Sequence, residues 1–401
     1  MNVLTLNAGS NSLKFEIVAV APGSDAFGES KLAGSIDDIG KDRAQFSLRG
    51  TIQDQVDVKP AAADHGQAAR WLLDWLAGGG AGAAGISDLS GLDRVAHRVV
   101  HGADQMTGPT RISCEVLAYI GSLKELAPMH TESVLQVIAA AQQKLASIPM
   151  IAIFDTAFHR TIPDEAALYP LPLELSRRHR IRRYGFHGIS HEYLATRYAQ
   201  ISGRPLSQLN LITLHLEGGS SATAIRSGKS ADTSMGLTPL EGLMMGSRSG
   251  DMDPALVLYL MRHESWSIEE AERYLNKDCG LLGVSGLSAD SRKLCEHLDQ
   301  PSALLALQMY CYRVRKYIGA YLAALGGADA IIFGGGIGED TPWVRNEVCR
   351  GLSCVGAVLD EVHNEKVVTR ESRISRAGSS IEIWVIPTQE GLMMAKSAAL
   401  A

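Results

Sequence analysis

No stretch of this chain approaches the ~18 uninterrupted apolar residues that a membrane-spanning helix needs. The opening MNVLTLNAGSNS has neither the basic segment nor the long apolar segment of a secretory signal, so the sequence predicts a cytoplasmic protein. No C-x-x-C pair occurs among the six cysteines (Cys114, Cys279, Cys295, Cys311, Cys349, Cys354), which argues against a zinc ribbon or a redox dithiol and reads as free thiols in a reducing compartment. Positive charge is not in excess: 38 Lys and Arg stand against 44 Asp and Glu, for a net charge of -6. Nucleic acid and anionic membrane surfaces are therefore not expected partners, although a local basic pocket for a small anion remains compatible. Two phosphate motifs are also missing. The G-K-[ST] ending of a Walker A loop does not occur in the N-terminal glycine turn, and DAIIFGGGIGED (Asp329–Asp340) does not complete G-x-G-x-x-G, so a dinucleotide fold is not supported.

What is present is a globular chain of 401 residues, 46% apolar and 20% charged, long enough to predict two domains. Strand-like runs at Val3–Leu6, Phe15–Val18, Arg94–His97, Met150–Ile153, Leu211–Leu214, Ala330–Phe333 and Ile381–Ile386 alternate with helical ones, the pattern of an α/β protein. Helices are predicted near Gly66–Leu76, Ser133–Leu145, Pro254–Met261, Ile268–Leu275, Ala303–Leu325 and Pro342–Leu352, the last with Thr341 as N-cap. AGGGAGAAG (Ala77–Gly85) reads as a flexible loop. A fresh strand at 150 suggests a boundary there, giving domains of 1–150 plus about 387–401, and 151–386.

One internal similarity organises the rest. NVLTLNAGSNSLKFEIV at the N-terminus has a counterpart in NLITLHLEGGSSATAI at Asn210–Ile225, each a strand, a Gly/Ser turn and a return strand. Such turns let consecutive N–H groups and hydroxyls converge on an anion. Gly9 is expected to supply a positive φ, with Asn7, Ser10, Ser12 and Lys14 as polar contacts. Two hairpins of this kind suggest duplicated halves facing each other across a cleft. In GGGIGED the glycines would let a flat purine and its ribose approach the backbone. Further polar residues sit in small-residue or post-strand contexts: Arg98 in AHRVVHG, Asp155 in FDTAFH, His187 in RRYGFHGISHEY and Arg248 in MMGSRSGDMDP. RRHRIRR (Arg177–Arg183) reads as a solvated face.

These segments, with TSMGLTPLEGLMMG (Thr233–Gly246), SGLSADSR and the terminal IPTQEGLMMA, resemble the acetate kinase family from residue 2 to about 396. The resemblance implies two duplicated ribonuclease-H-like (actin-like ATPase) domains around a nucleotide cleft, a homodimer, and phosphoryl transfer between ATP and acetate giving ADP and acetyl phosphate. It implies magnesium, or manganese in its place, as the metal. By position, Arg98, Arg248, His187 and Asp155 match the catalytic residues, and Asn7 and Glu390 the metal site. Val100, Met129, Phe186 and Pro239 match the pocket for the acetate methyl. Ser10, Ser12, Lys14, His215, Gly218 and Gly219 match phosphate contacts, while Asp290, Arg292, Gly336, Ile337 and Gly338 fall where the family holds adenosine. The family's second hairpin usually reads His-Leu-Gly-Asn-Gly; here it is HLEGG, with Glu217 in place of a glycine and Gly218 in place of an asparagine. Met129-His130-Thr131, Ile189 and Gln389-Glu390-Gly391 are smaller departures. Propionate or butyrate as acceptor, pyrophosphate as donor, and a non-catalytic ATP-driven clamp or sensor are the competing readings.

Overall fold

Strand β1 (Asn2–Ala8) is buried along most of its length, as a central strand covered on both faces must be. The computed structural model describes residues 1–24, 26–42, 44–49, 62–124 and 128–401, the side chains of 128 and 129 excepted. The chain divides into two compact units, Met1–Ala157 with Gln389–Ala401, and Phe158–Thr388.

In the first unit β1 is flanked by β2 (Leu13–Ala19), β3 (Glu29–Asp37), β4 (Gln45–Arg49), β5 (Arg94–Val99), β6 (Thr110–Arg111) and β7 (Met150–Phe154), ordered β4-β3-β2-β1-β5-β7-β6. In the second, β8 (Asn210–Leu216), β9 (Ser220–Arg226), β10 (Lys229–Thr233), β11 (Ala330–Gly334), β12 (Ser372–Arg373) and β13 (Glu382–Val385) are ordered β10-β9-β8-β11-β13-β12. Six strands of the first sheet correspond in order to the six of the second, and β4 is additional. β1 and β8 each pair antiparallel with the next strand in sequence and parallel with a later one. That later strand in turn pairs parallel with a third. A short antiparallel edge strand closes each sheet. Both units thus carry the ribonuclease-H-like order, and the repeated hairpins occupy equivalent places.

Each sheet has its own core. Leu4, Leu6, Val95, Leu72, Leu73, Val137 and Ala141 belong to the first, between the sheet and helices His65–Ala77 and Pro128–Lys144. Ile212, Leu214, Ile331, Phe333, Tyr310, Val314 and Ile318 belong to the second, where helix Pro301–Leu325 crosses the sheet.

Several local expectations are corrected. Met150–Phe154 does not open the second unit: it pairs in register with Arg94–Val99 and completes the first sheet, so the division falls after Ala157. Within the connection Ala77–Gly85, Gly80–Ala84 forms a 3-10 turn that buries Ala81. Gly80 is needed there because a Cβ would lie 2.7 Å from the Trp75 ring. Gly9 is not among the positive-φ glycines; its missing side chain instead makes room for Ser12, whose Oγ would lie 2.7 Å from a Cβ. The GGGIGED glycines open a short helix, Gly335–Asp340, rather than a turn before one. Thr341 occupies the N-cap position of Pro342–Cys349 without making the side-chain hydrogen bond.

Sequence reasoning overlooked Arg345, a fully buried cation. Its Nε donates to Asn364 Oδ1 at 2.7 Å, and its Nη atoms donate to the carbonyls of Gly338, Glu339, Asn364 and Val367 at 2.5–3.0 Å. Burial pushes the guanidinium pKa down to about 10, so the cation persists at neutral pH. The fork ties helix Gly335–Asp340 to the segment around 364–367. Arg345→Met leaves these carbonyls unpaired and should cost about 3 kcal/mol or more. Arg345→Lys should not restore it, since one ammonium cannot span the same acceptors. Urea unfolding followed by far-UV circular dichroism measures both, and a midpoint equal to wild type in Arg345→Met would remove this role.

Candidate active site

In the first unit the end of β1 and the middle of β5 place Asn7 beside Arg98, since Leu6 pairs with His97. Asp155 follows β7 directly and is held by its N–H to Val99 carbonyl bond of 2.9 Å. Arg98 Nη2 donates to Asp155 Oδ2 at 2.8 Å and Nη1 to Asn7 Oδ1 at 3.0 Å, while Asn7 Nδ2 donates to Glu390 Oε2 at 2.9 Å. Asp155 is fully buried and the Arg98 side chain is 15% exposed, so each charge depends on the other to be tolerated inside. Glu390 begins helix Glu390–Leu400, where the dipole favours a carboxylate. The chain Asp155–Arg98–Asn7–Glu390 thus joins four residues that are scattered in sequence.

The hairpin after β1 closes through Gly9 N–H to Ser12 carbonyl at 2.8 Å, and His65 Nε2 donates to the Gly9 carbonyl at 2.9 Å. Ser10 and Lys14 are exposed and Ser12 is half-buried. Val100 is buried at the end of β5. Met129 lies in the first turn of helix Pro128–Lys144, its side chain outside the described residues.

The second unit builds a different cluster around the hairpin Glu217-Gly218-Gly219 between β8 and β9. The loop carrying Arg248 clamps this tip, Gly246 N–H donating to Gly218 carbonyl at 3.1 Å. That loop is kept tight by Gly280, whose φ of +64° and a would-be Cβ 2.2 Å from the Met245 carbonyl admit no other residue. Arg248 Nη1 reaches Pro239 carbonyl at 3.2 Å and Met245 Sδ at 3.9 Å. Among the described residues no carboxylate pairs with Arg248, and burial alone lowers its pKa. A half-buried cation without a counter-ion can receive an anion. The His187 and His215 rings lie beside it, tilted by 36° to each other with centroids 4.2 Å apart. A Cβ on Gly219 would lie 3.4 Å from Arg248 Nη1 and 3.6 Å from His187 Nε2, in ordinary contact, so the hairpin tip adjoins both side chains. His187 itself has φ of +56°, a conformation costing a non-glycine residue roughly 1 kcal/mol and typical of functional positions. Glu217 Oε2 lies 3.5 Å from His215 Nε2, with its side chain half-exposed. Phe186 is buried, and Pro239 is partly so.

On the proposed nucleotide side, Asp290 caps helix Ser291–Cys295 through Arg292 N–H at 2.9 Å. The same carboxylate accepts from Arg292 Nε and Nη2 at 3.1 and 2.9 Å, and this pairing holds the Asp290 pKa down. Gly335, with φ of +75°, lies against Leu216, where a Cβ would meet the carbonyl at 2.6 Å. Gly336, Ile337 and Gly338 follow in the same short helix. Thr388 fastens this turn: its Oγ1 accepts from Gly335 N–H at 2.9 Å and its N–H donates to Glu339 Oε1 at 2.8 Å. Burial raises the Glu339 pKa. Thr388, Glu339, Ser221, His191 and Thr213 were not anticipated, because their roles follow from tertiary contacts that no local pattern encodes.

No group of three or more His, Cys, Asp or Glu side chains among the described residues could hold a metal ion. Asn7 and Glu390 do offer an amide oxygen and a carboxylate, the donors that magnesium takes while keeping several waters.

Paired ribonuclease-H-like units, each with a small-residue hairpin and an arginine beside it, define an α/β protein of the actin-like ATPase fold. The sequence model described as the acetokinase family matches residues 2–396. The chain belongs to that family. It is 43% identical over 413 residues to an acetate kinase of Chloroherpeton thalassium, covering 99% of this chain and 98% of that one. Its structure is similar to an acetate kinase of Porphyromonas gingivalis, with TM-score 0.90, 35% identity, and 100% and 99% of the two chains covered. It is also similar to a propionate kinase from Francisella tularensis, with TM-score 0.88, 34% identity, and 99% and 98% covered. No helix among the described residues is long and apolar enough to cross a membrane.

His97, immediately before Arg98, alternates to the opposite face of β5. It is fully buried with neither ring nitrogen hydrogen-bonded among the described residues, and burial pushes its pKa down to about 3. Above pH ~6.5 the ring is neutral whether folded or unfolded and contributes no pH dependence. As pH falls from there toward 3, only the unfolded chain takes up the proton, so stability is lost. Between pH 7 and pH 5 this amounts to about 2 kcal/mol. His97→Leu should therefore lose about 2 kcal/mol less than wild type over that interval in urea unfolding. Equal losses in the two proteins would mean that His97 is not held neutral.

Proposed function

We propose that this chain is a kinase acting on acetate, transferring the γ-phosphoryl group of ATP reversibly to the acetate carboxylate to give acetyl phosphate and ADP. The observation that carries this reading is Arg248, a cation with no counter-charge among the described residues, placed with His187 and His215 at a glycine hairpin. A carboxylate nucleophile is already ionised at neutral pH and needs no general base. The barrier lies in bringing one anion to another, so positioning and positive charge carry the catalysis. In this assignment an acetate oxygen forms the new bond to the γ-phosphorus as the bond to the β,γ-bridging oxygen breaks, and ADP leaves with that electron pair.

Arg248 neutralises oxygens of the transferring group, and His187 donates a hydrogen bond to it. His215, Gly218 and Gly219, with Ser10, Ser12 and Lys14, serve the phosphates. Arg98, oriented by Asp155, holds the carboxylate. Val100, Met129, Phe186 and Pro239 receive the methyl group. Asp290, Arg292, Gly336, Ile337 and Gly338 bind adenosine. Asn7 and Glu390 would hold magnesium, which when bound neutralises phosphate oxygens. The two compact units act as the N- and C-terminal domains of the enzyme. Six free cysteines support a reducing, cytoplasmic setting. Helix Pro254–His263 buries no residue and exposes Leu256, Leu258 and Tyr259, which supports a homodimer.

Hydroxamate formation from ATP, magnesium, hydroxylamine and acetate, propionate or butyrate measures the activity. Acetate should give the highest kcat/KM, with propionate lower by about 10- to 200-fold. Arg98→Ala and Arg248→Ala should each lower kcat by about 10²–10³ while far-UV circular dichroism stays native. A clamp that only binds ATP would form no hydroxamate in any of these mixtures.

Glu217 places a carboxylate at the phosphate hairpin. Gly218 has open space where a side chain would go, so an asparagine fits there. Glu217→Gly combined with Gly218→Asn should lower KM for ATP. An unchanged value would show that the replacement is neutral for nucleotide binding.

A further inference from the structure

Thr213 and Ser221 sit on one face of the β8–β9 hairpin: Thr213 is two residues before His215, which pairs with Ser221. Helix Gly188–Ser202 lays His191 between them. The resulting contacts form one line. Thr213 Oγ1 lies 2.8 Å from His191 Nδ1, His191 Nε2 lies 2.8 Å from Ser221 Oγ, and Ser221 Oγ lies 2.8 Å from His187 Nδ1. Thr213, His191 and Ser221 are fully buried, so no water substitutes for a missing partner.

The protons in such a line can be counted. Burial holds the His191 pKa well below the usual range, and the neighbouring His159 and His215 push it the same way, so this ring carries one proton. The Ser221 hydroxyl also carries one, and it faces an imidazole nitrogen on each side. It therefore donates to one and accepts from the other, so the whole line runs in a single direction. Its direction is set at the buried end. Among the described residues the only side-chain hydrogen-bond partner of Thr213 Oγ1 is His191 Nδ1. Unless Thr213 donates there, its buried hydroxyl proton has no acceptor, a loss of about 1–3 kcal/mol.

We infer that Thr213 and Ser221 are positioning residues that fix the proton of neutral His187 on Nε2. Thr213 donates to His191 Nδ1, His191 Nε2–H donates to Ser221, and the Ser221 hydroxyl donates to His187 Nδ1. His187 Nε2, 3.6 Å from the Cβ position of Gly219 and beside Arg248 Nη1, is left as a donor facing the hairpin tip. With the line reversed, a neutral His187 would present a lone pair to an anion at that place and repel it. The inference rests on the assignment of His187 as a donor to the transferring phosphoryl group, but its direct readout requires no turnover.

The test uses the full chain labelled with ¹⁵N-histidine, without substrate, at pH 7.5. Long-range ¹H–¹⁵N correlation spectra report which ring nitrogen carries hydrogen, and the His187 signals are assigned by their disappearance in His187→Asn. Wild type and Thr213→Ser should show His187 protonated at Nε2, whereas Thr213→Val and Ser221→Ala should show a growing Nδ1–H population. With ATP and acetate, Ser221→Ala should lose about tenfold in kcat, with KM values within about twofold of wild type, and Thr213→Ser should retain activity. A wild-type spectrum with hydrogen on Nδ1 overturns the inference even if every variant misfolds. So does a His187 tautomer unmoved in both Thr213→Val and Ser221→Ala. If the tautomer shifts as described in a chain that makes no acyl phosphate, the relay stands and the kinase assignment falls.

Discussion

A guanidinium group taken from water without a carboxylate to meet it is a standing cost to the fold. Arg248 is in that position, and its surroundings are organised to keep it there. Gly280 and Gly246 tighten its loop against the hairpin tip, and the Pro239 carbonyl supplies a partial negative charge. Arg98 has the opposite arrangement, because Asp155 neutralises it from a fully buried position. Arg98 is spatially fixed by its counter-ion, whereas Arg248 has no carboxylate partner among the described residues. A positive charge that is left uncompensated while the site is empty gains most when an anion arrives, which is how preorganised electrostatics act on phosphoryl groups.

How much of this could be read from the sequence depended on whether backbone or side chains decide the feature. The repeated strand–turn–strand pattern announced the duplicated sheets, because hydrophobic alternation and Gly/Ser turns are local signals. Buried runs such as Ala330–Phe333 were visible for the same reason. The strand at Met150 was legible as a strand but not as the last parallel member of the first sheet, since pairing partners are non-local. Gly9 was read as a conformational requirement when it is a steric one. Thr341 stands in the right place for a cap and makes no capping bond. Arg345 left no trace: in sequence it is an ordinary helical arginine, and only the folded chain gathers four carbonyls around it. Asp155, Arg98, Asn7 and Glu390 were each singled out, but the bonded order in which they touch came from the structure.

The two halves also show how a duplicated scaffold diverges. β1 and β8 have the same neighbours, yet the first hairpin is a four-residue turn from Gly9 to Ser12, and the second is the shorter Glu217-Gly218-Gly219. Beside the first stand carboxylate and amide oxygens suited to a metal; beside the second stand imidazoles and an arginine. The sheet order is shared, and the chemistry resides in the side chains attached to it.

Helix Glu390–Leu400 packs on β1, β2, β5 and β7, and Arg94 reaches its Ala398 carbonyl. The sheet begun by the earliest residues therefore waits for the latest ones. During synthesis from the N-terminus, residues 158–388 can complete their own core before that helix exists, while the first sheet keeps an apolar face uncovered. The bond between Asn7 and the Glu390 carboxylate therefore forms only after the whole of the second unit has been synthesised.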